Sequence, residues 1–259
     1  MKRVVPFVCS SVLCIFVFVY GFHVQSEKVY RQSAQEGLTW LFQYEEDYKN
    51  PGVFWVLKDV NTRFCRSNEF EKKIDERFES VPRTSVERAY YYFPNSPISE
   101  ETLASSTIVR YDRWLLETLA CRERPLSLET RAELGSAELL RGYDATHAYL
   151  AVLYLERLGC SLDTESEDIS LRERIIQTEE ALMKEAAQDF EFSDLWVERA
   201  AFLLWGGRQD VVDEVWLEKI TNAENPSGGW GDGVGTVSNP HSTALATWTL
   251  VQATGQCPL

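Results

Sequence analysis

Apolar residues recur at three- and four-residue spacing through most of the chain beyond residue 26, and the alternation typical of β-strands is nearly absent. Such spacing places apolar side chains along one face of a helix. It predicts helices at residues 27–44, 52–64, 68–79, 100–122 and 127–141. Residues 90–95 are rich in aromatic side chains and are predicted to connect two of these helices. The pattern therefore predicts an all-α fold.

Three later segments are apolar around nearly their whole circumference. They span residues 144–159, 193–207 and 239–255. Asp144, Ser193 and Asn239 are predicted N-caps of these helices, and a glycine follows each helix as its stop signal. The segments between them, near 169–183 and 212–220, are apolar on one face only. Because a helix that is apolar on all sides is buried, three buried helices are expected to alternate with amphipathic outer helices.

The three apolar segments have the same layout. Positions 147, 194 and 241 correspond to one another, which gives a repeat of 47 residues. Stacked helical hairpins are typical of such a period. We predict an α/α toroid or a partial α/α barrel of helical hairpins, in which the N-termini of the inner helices meet on one rim. An ordinary α-solenoid or an irregular bundle is the alternative.

The N-terminal segment is hydrophobic. Residues 4–22 carry no charge and follow Lys2 and Arg3, and this length is sufficient to cross a bilayer as a helix. We expect residues 1–26 to be a signal anchor or signal peptide, and residues 27–259 to form an α/α-toroid-like domain outside the cytoplasm, periplasmic or extracellular. Cleavage of the segment, which would release a secreted protein, is the alternative.

The charge of the chain limits its partners. The formal net charge is -14, and the sequence has no basic patch with interleaved aromatic residues. A nucleic acid would be repelled by this charge, so no nucleic-acid partner is expected. The expected partners are a substrate of unknown identity or an envelope protein, together with the membrane through residues 4–22.

Four cysteines lie beyond the hydrophobic segment, namely Cys65, Cys121, Cys160 and Cys257. They allow two disulfides in three possible pairings, among which the sequence does not choose. Four buried free thiols are the alternative. No Cys-x-x-Cys motif occurs, which disfavours zinc fingers and thioredoxin-like redox sites.

Two histidines and one acid hold corresponding positions. His147 and His241 each fall in the first turn of a buried helix, and Asp194 has the matching place in the helix between them. In a barrel the three side chains face one cavity, and we predict them as catalytic residues. The positive end of a helix disfavours imidazolium, so both histidines are expected to be neutral and able to act as bases or ligands. Simple capping and local hydrogen bonding are the alternative explanation.

The spacing of these residues bears on metal binding. Two histidines and one carboxylate form a known metal-ligand set. However, ligands 47 residues apart lack the short local spacing that makes a metal motif specific. We therefore predict no metal and no other cofactor.

Residues 225–233, with the sequence NPSGGWGDG, are predicted to form a tight connection, because glycines allow positive φ angles and close backbone contact. Trp230 can fold back and hold this loop against neighbouring helices. Trp230, Asp232 and Tyr143 are expected to flank the cavity and to bind the substrate. For the tryptophan, packing in the core is the alternative.

The loop NPSGGWGDG and the following NPHSTALATWTL resemble the terpenoid cyclase and protein prenyltransferase superfamily, whose fold is an α/α toroid. The resemblance covers residues 216–252, with weaker similarity at 37–43 and around His147. Glu224 stands where the cyclase repeat usually has glutamine. The sequence lacks both the Asp-x-Asp-Asp motif of the cyclases and the Asp-x-Cys ligands of the prenyltransferases. The resemblance thus implies the fold more than the chemistry.

These inferences predict a membrane-tethered extracytoplasmic protein with a His/Asp-rimmed cavity that acts on a carbohydrate or isoprenoid substrate. Carbohydrate enters by analogy, because extracytoplasmic polysaccharide lyases and glycosidases use folds of similar shape. A non-catalytic helical scaffold that binds an envelope protein or a glycan is the alternative. The sequence alone does not decide whether the protein is an enzyme.

Overall fold

The computed structural model describes residues 10–44, 50–79, 109–136, 140–162, 170–189 and 191–259, with the backbone alone for residues 10–25, 51 and 78. The described part contains helices and no β-strand. One isolated bridge pairs Ser193 with Gly233. The prediction of an all-α fold is confirmed for these residues.

The described part contains ten α-helices and one π-helical turn. They are α1 (Ser10–Gln43), α2 (Pro51–Val60), the π-turn (Asn61–Cys65), α3 (Asn68–Glu79), α4 (Arg110–Leu119), α5 (Leu128–Gly135), α6 (Tyr143–Leu158), α7 (Leu171–Ala186), α8 (Asp194–Trp205), α9 (Glu214–Asn222) and α10 (Pro240–Thr254). Each helix predicted from the sequence has a counterpart here, although residues 100–108 of the predicted helix 100–122 lie outside the described residues. The predicted connection at 90–95 lies outside the described residues.

Two of the three predicted N-caps are confirmed. The side chain of Ser193 accepts a hydrogen bond from the backbone N–H of Trp196, and that of Asn239 accepts one from Ser242. The prediction for Asp144 was wrong, since α6 begins at Tyr143 directly after Gly142. Gly142 has a φ of 60°, a conformation that favours glycine. The carboxylate of Asp144 instead pairs with Arg110 on α4.

The helices α6, α8 and α10 form the centre of the core. Nearly all of their side chains are buried, as the sequence predicted. α8 contacts both α6 and α10, while α6 also packs on α4 and α7, and α10 on α1 and α2. The outer helix α7 buries one face only, as its amphipathic pattern requires. This packing brings the N-terminal turns of the three central helices to one end of the core.

The glycine-rich loop is fixed by its tryptophan. Gly228 and Gly229 have φ angles of 84° and 75°, which allow the sharp turn. Trp230 follows them, is fully buried, and donates its indole N–H to the carbonyl of Ile220 at 2.7 Å. Its ring lies so close to α1 that a Cβ on Gly37 would approach Trp230 Cζ3 to 2.7 Å. The prediction that Trp230 holds this loop against neighbouring helices is confirmed.

Two disulfides join distant parts of the chain. Cys65 pairs with Cys257, which ties the π-turn to the segment after α10, and Cys121 pairs with Cys160, which ties the ends of α4 and α6 together. The alternative of four free thiols was therefore wrong. α4, α6 and α10 all contribute residues to the cavity described below, so both crosslinks hold its walls in place.

Within the described residues, no helix is at once long enough and apolar enough to span a membrane. The predicted hydrophobic segment 4–22 lies partly outside the described residues, and none of its side chains is described. The anchor and the domain boundary after residue 26 therefore stay predictions.

Candidate active site

A cavity of about 600 Å³ opens among α2, α4, α6, α8 and α10. One part of its lining is aromatic and aliphatic, and the other part gathers ionisable and hydroxyl groups. Asn50, Tyr111 and Asp112 line it, together with five polar residues on the central helices: Tyr143, His147, Asp194, Glu198 and His241. Three of them, His147, Asp194 and His241, are the residues that the sequence predicted as catalytic. The structure brings all three to the wall of one cavity.

Asp194 connects the three central helices. Its Oδ2 atom accepts a hydrogen bond from the hydroxyl of Tyr143 on α6 at 2.7 Å. Its Oδ1 atom accepts one from Ser242 on α10 at 2.5 Å and faces His241 Nδ1 at 2.8 Å. The correspondence of positions 194 and 241 in the repeat predicted this proximity, which the structure confirms.

Opposite charges stabilise each other in the pair of Asp194 and His241. Burial acts to raise the pKa of Asp194, but the hydrogen bond and charge of His241, together with the bonds from Ser242 and Tyr143, hold that pKa below its usual value. A carboxylate only accepts, so the Nδ1 atom of His241 carries the hydrogen. The other ring nitrogen of His241, Nε2, takes no part in this hydrogen bond.

The surroundings of His241 act against the predicted neutral state. Burial would lower the pKa of His241, yet the hydrogen bond to Asp194 and the charges of Asp194, Glu198 and Asp232 together raise it above its usual value. A carboxylate in direct contact outweighs the partial charge of a helix terminus. These contacts therefore favour the imidazolium form of His241, which can donate a proton.

Glu198 lies between the two histidines and was missed by the sequence analysis. It is 1% exposed. Its Oε1 atom lies 3.4 Å from Nδ1 of His147 and accepts a hydrogen bond from Thr146, and its Oε2 atom lies 3.7 Å from Nε2 of His241. The available signal was its spacing, since Glu198 stands one helical turn after Asp194 in a predominantly apolar helix.

His147 is held by its own helix. Its Nδ1 atom lies 2.8 Å from the carbonyl oxygen of Tyr143, which only accepts, so Nδ1 carries the hydrogen. The ring of Tyr111, on α4, packs against the imidazole with centroids 4.4 Å apart. His147 has no direct contact with Asp194 among the described interactions. The two are connected through Tyr143, whose carbonyl faces His147 and whose hydroxyl bonds to Asp194.

The three predicted substrate-binding residues have different positions. Tyr143 lines the cavity, and burial together with its hydrogen bond to Asp194 raises the pKa of its hydroxyl, which stays protonated. Asp232 is exposed and accepts a hydrogen bond from Asn239 at 2.6 Å, beside the cavity. Trp230 does not line the cavity, so its prediction as a substrate-binding residue was wrong. Its ring is enclosed between α1 and α10, in the core.

Some of these residues are also suitable metal ligands. Asp194, Glu198 and His241 offer ligand atoms within 4.8 Å of one another. However, Oδ1 of Asp194 and Nδ1 of His241 face each other at hydrogen-bond distance, and Ser242 and Tyr143 also bond to the carboxylate. The arrangement is a hydrogen-bonded acid–imidazole pair, which suits proton transfer. The absence of a metal or cofactor stays a prediction.

The site can do three things chemically. The imidazolium of His241, oriented by Asp194, can donate a proton into the cavity. Glu198 can stabilise positive charge that develops on a bound molecule. The hydroxyl of Tyr143 fixes the position of the Asp194 carboxylate.

Comparisons with known proteins give no relative from which to transfer a function: no protein-family model, no curated protein and no solved structure matches the chain.

Proposed function

We propose that the chain is an extracytoplasmic enzyme that uses His241, Asp194 and Glu198 for proton transfer on a carbohydrate-like substrate. One observation carries the proposal. Two imidazoles converge on the buried carboxylate of Glu198 at the wall of a 600 Å³ cavity. Buried charged groups cost folding free energy, and their concentration in a cleft is typical of catalytic sites.

His241 acts as the general acid in this proposal. Asp194 orients the imidazole through Nδ1 and stabilises its protonated form. The proton on Nε2 is donated to the bridging oxygen of the substrate, the C–O bond breaks and the alcohol leaves, while Glu198 stabilises the positive charge on the carbon. A water molecule then adds to that carbon, and the proton it loses returns to Nε2 of His241. Tyr143 is a positioning residue for Asp194.

A carbohydrate-like substrate suits both halves of the cavity. The aromatic residues Trp55, Tyr111, Tyr154 and Phe202 line one part, and flat rings of this kind pack against the apolar faces of sugars. Hydroxyl groups of a sugar can satisfy the carboxylates and imidazoles on the other side. An isoprenoid chain would leave those polar groups without partners, at a cost in binding free energy. The carbohydrate class is therefore preferred.

The proposal includes the α/α toroid and an extracytoplasmic location. Alternation of the buried helices α6, α8 and α10 with the outer helices α7 and α9 supports a toroid. The two disulfides support export, because disulfides persist in oxidising compartments. A membrane tether through residues 4–22 belongs to the same proposal.

An activity screen tests the enzyme proposal. The full chain is incubated with a panel of neutral, amino and acidic oligosaccharides, and the products are identified by mass spectrometry. We expect cleavage of at least one member, lost in His241→Ala and in Glu198→Gln and retained in Glu180→Gln. Glu180 is an exposed carboxylate of α7 that does not line the cavity, so this variant is a matched control.

Two results of this screen would contradict the proposal and favour a non-catalytic helical scaffold. If no member of the panel is cleaved, the enzyme proposal fails for carbohydrates. If a product forms equally with wild-type protein and with His241→Ala, the assigned acid is wrong. A scaffold that binds an envelope protein or a glycan would tolerate loss of His241 without any change in its binding.

A further inference from the structure

We infer that the ligand of the cavity carries a positively charged nitrogen, so that among carbohydrate-like substrates the protein selects amino sugars. This inference rests on the proposed function, because it names the substrate class of the same site. It is carried by the charge of the cavity wall and by the aromatic rings that share the wall.

Negative groups outnumber positive ones at the site. Asp112, Asp194 and Glu198 line the cavity, and Asp232 lies close enough for its charge to affect both Tyr143 and His241. These four carboxylates exceed the two imidazoles of His147 and His241, even when both imidazoles are protonated. The site therefore attracts a cation and repels an anion.

Basic side chains that could offset this charge are engaged elsewhere. No lysine or arginine lines the cavity in the part of the chain that the structure describes. On the neighbouring helix α4, Arg110 pairs with Asp144, while Arg113 pairs with Glu129 and Glu133. A carboxylate or phosphate on a ligand would meet no cationic partner there.

Aromatic rings strengthen the preference for a cation. Trp55 packs edge-on against Tyr154 with ring centroids 5.9 Å apart, and Tyr111 and Phe202 flank His147. All four aromatic residues line the cavity. The faces of such rings carry negative potential and attract ammonium groups. A cavity that combines carboxylates with aromatic faces binds an ammonium group on an otherwise apolar or ring-shaped molecule.

Glu198 has an oxygen available for such a group. Its Oε1 atom accepts a hydrogen bond from Thr146, while its Oε2 atom lies 3.7 Å from His241 Nε2, beyond hydrogen-bond distance. An ammonium N–H entering the cavity can bond to Oε2. The bond is formed between a buried carboxylate and a cation, which makes it a strong one.

Titration calorimetry of the full chain at about pH 6 tests the inference. The probes are D-glucosamine, D-glucose and D-glucuronate, which share one ring and differ in charge. Choline and its neutral isostere 3,3-dimethylbutan-1-ol form a second pair without a sugar ring. We expect glucosamine to bind at least about tenfold more tightly than glucose, and choline more tightly than its isostere. Glucuronate should not bind measurably.

A variant that removes the charge of Glu198 tests whether this residue causes the preference for glucosamine over glucose. Glu198→Gln keeps the shape of the side chain, and we expect it to reduce the ratio of glucosamine to glucose affinity severalfold. The control Glu180→Gln removes an equal charge on α7, away from the cavity, and should leave the ratio unchanged.

The outcomes separate this inference from the proposed function. Equal binding of glucose and glucosamine overturns the inference and leaves a carbohydrate substrate standing. Binding of choline without any of the sugars supports selection of a cation and removes the carbohydrate class. Tightest binding of glucuronate, or no binding of any of the five compounds, overturns the inference.

Discussion

The pairing of Asp194 with His241 makes a direct prediction about the protonation of His241. Replacing Asp194 by asparagine keeps the size of the side chain and removes its negative charge. Because that charge faces His241 Nδ1 at 2.8 Å and contributes to the raised pKa of His241, Asp194→Asn should lower this pKa. Glu198, at 3.7 Å from Nε2, continues to act on the ring.

The expected size of the change follows from the geometry. An opposite charge in contact with an imidazole raises its pKa by about 1 to 3. The side chain of His241 is 32% exposed, so solvent screens part of the interaction. We therefore expect the pKa of His241 to fall in Asp194→Asn by an amount toward the lower end of this general range.

Histidine NMR measures this directly. The chain has only three histidines, so the ¹⁵N signals of the imidazole rings can be assigned with one variant per residue and followed as a function of pH. Asp144→Asn is the matched control, because Asp144 also lies in the first turn of a central helix but pairs with Arg110. The reasoning is refuted if wild-type His241 titrates at or below 6.5, or if Asp194→Asn leaves its pKa unchanged.

The same pair predicts how stability depends on pH. The folded pKa of His241 is raised, so its contribution is complete below the usual value of 6.5 and is lost as pH rises through the folded pKa. The folded pKa of Asp194 is depressed, so its contribution is complete above 3.8 and is lost as pH falls through the folded pKa. The pair therefore stabilises the fold most between these two values, and urea denaturation of Asp194→Asn should show a flatter profile.

Three further predictions concern stability. Trp230→Ala removes a fully buried ring and should lower the free energy of unfolding by about 3–5 kcal/mol in urea titrations, and a loss below about 1 kcal/mol would contradict its structural role. Replacing Cys121 and Cys160 together by serine opens a crosslink between residues 39 apart and should cost about 4 kcal/mol, whereas an unchanged melting temperature would exclude that pairing. Burial and the charge of Glu36 raise the pKa of Glu224 to about 7, so stability from the protonated acid is lost as pH rises through 7. Glu224→Gln should therefore stabilise the chain by about 1–2 kcal/mol at pH 8, with almost no effect at pH 4.

Local signals in the sequence were sufficient to define the central helices. Ser193 and Asn239 were identified as N-caps from their residue types, and their side chains accept the expected backbone hydrogen bonds. Asp144 was misassigned because the φ of 60° at Gly142 starts α6 before it. An N-cap depends on the backbone angles as well as on the residue type. The sequence gives the residue type but not the backbone angles.

The sequence by itself determined the all-α fold and the neighbourhood of the candidate site. The repeat of 47 residues placed Asp194 next to His241, because equivalent positions on packed, equivalent helices meet at one level. It did not determine which cysteines pair, that Trp230 is enclosed in the core, or that Glu198 lies between the two histidines. Those facts depend on the distances between helices far apart in the chain. The direction in which the pKa of His241 shifts also depends on the tertiary structure, because the carboxylate that contacts its imidazole is contributed by another helix.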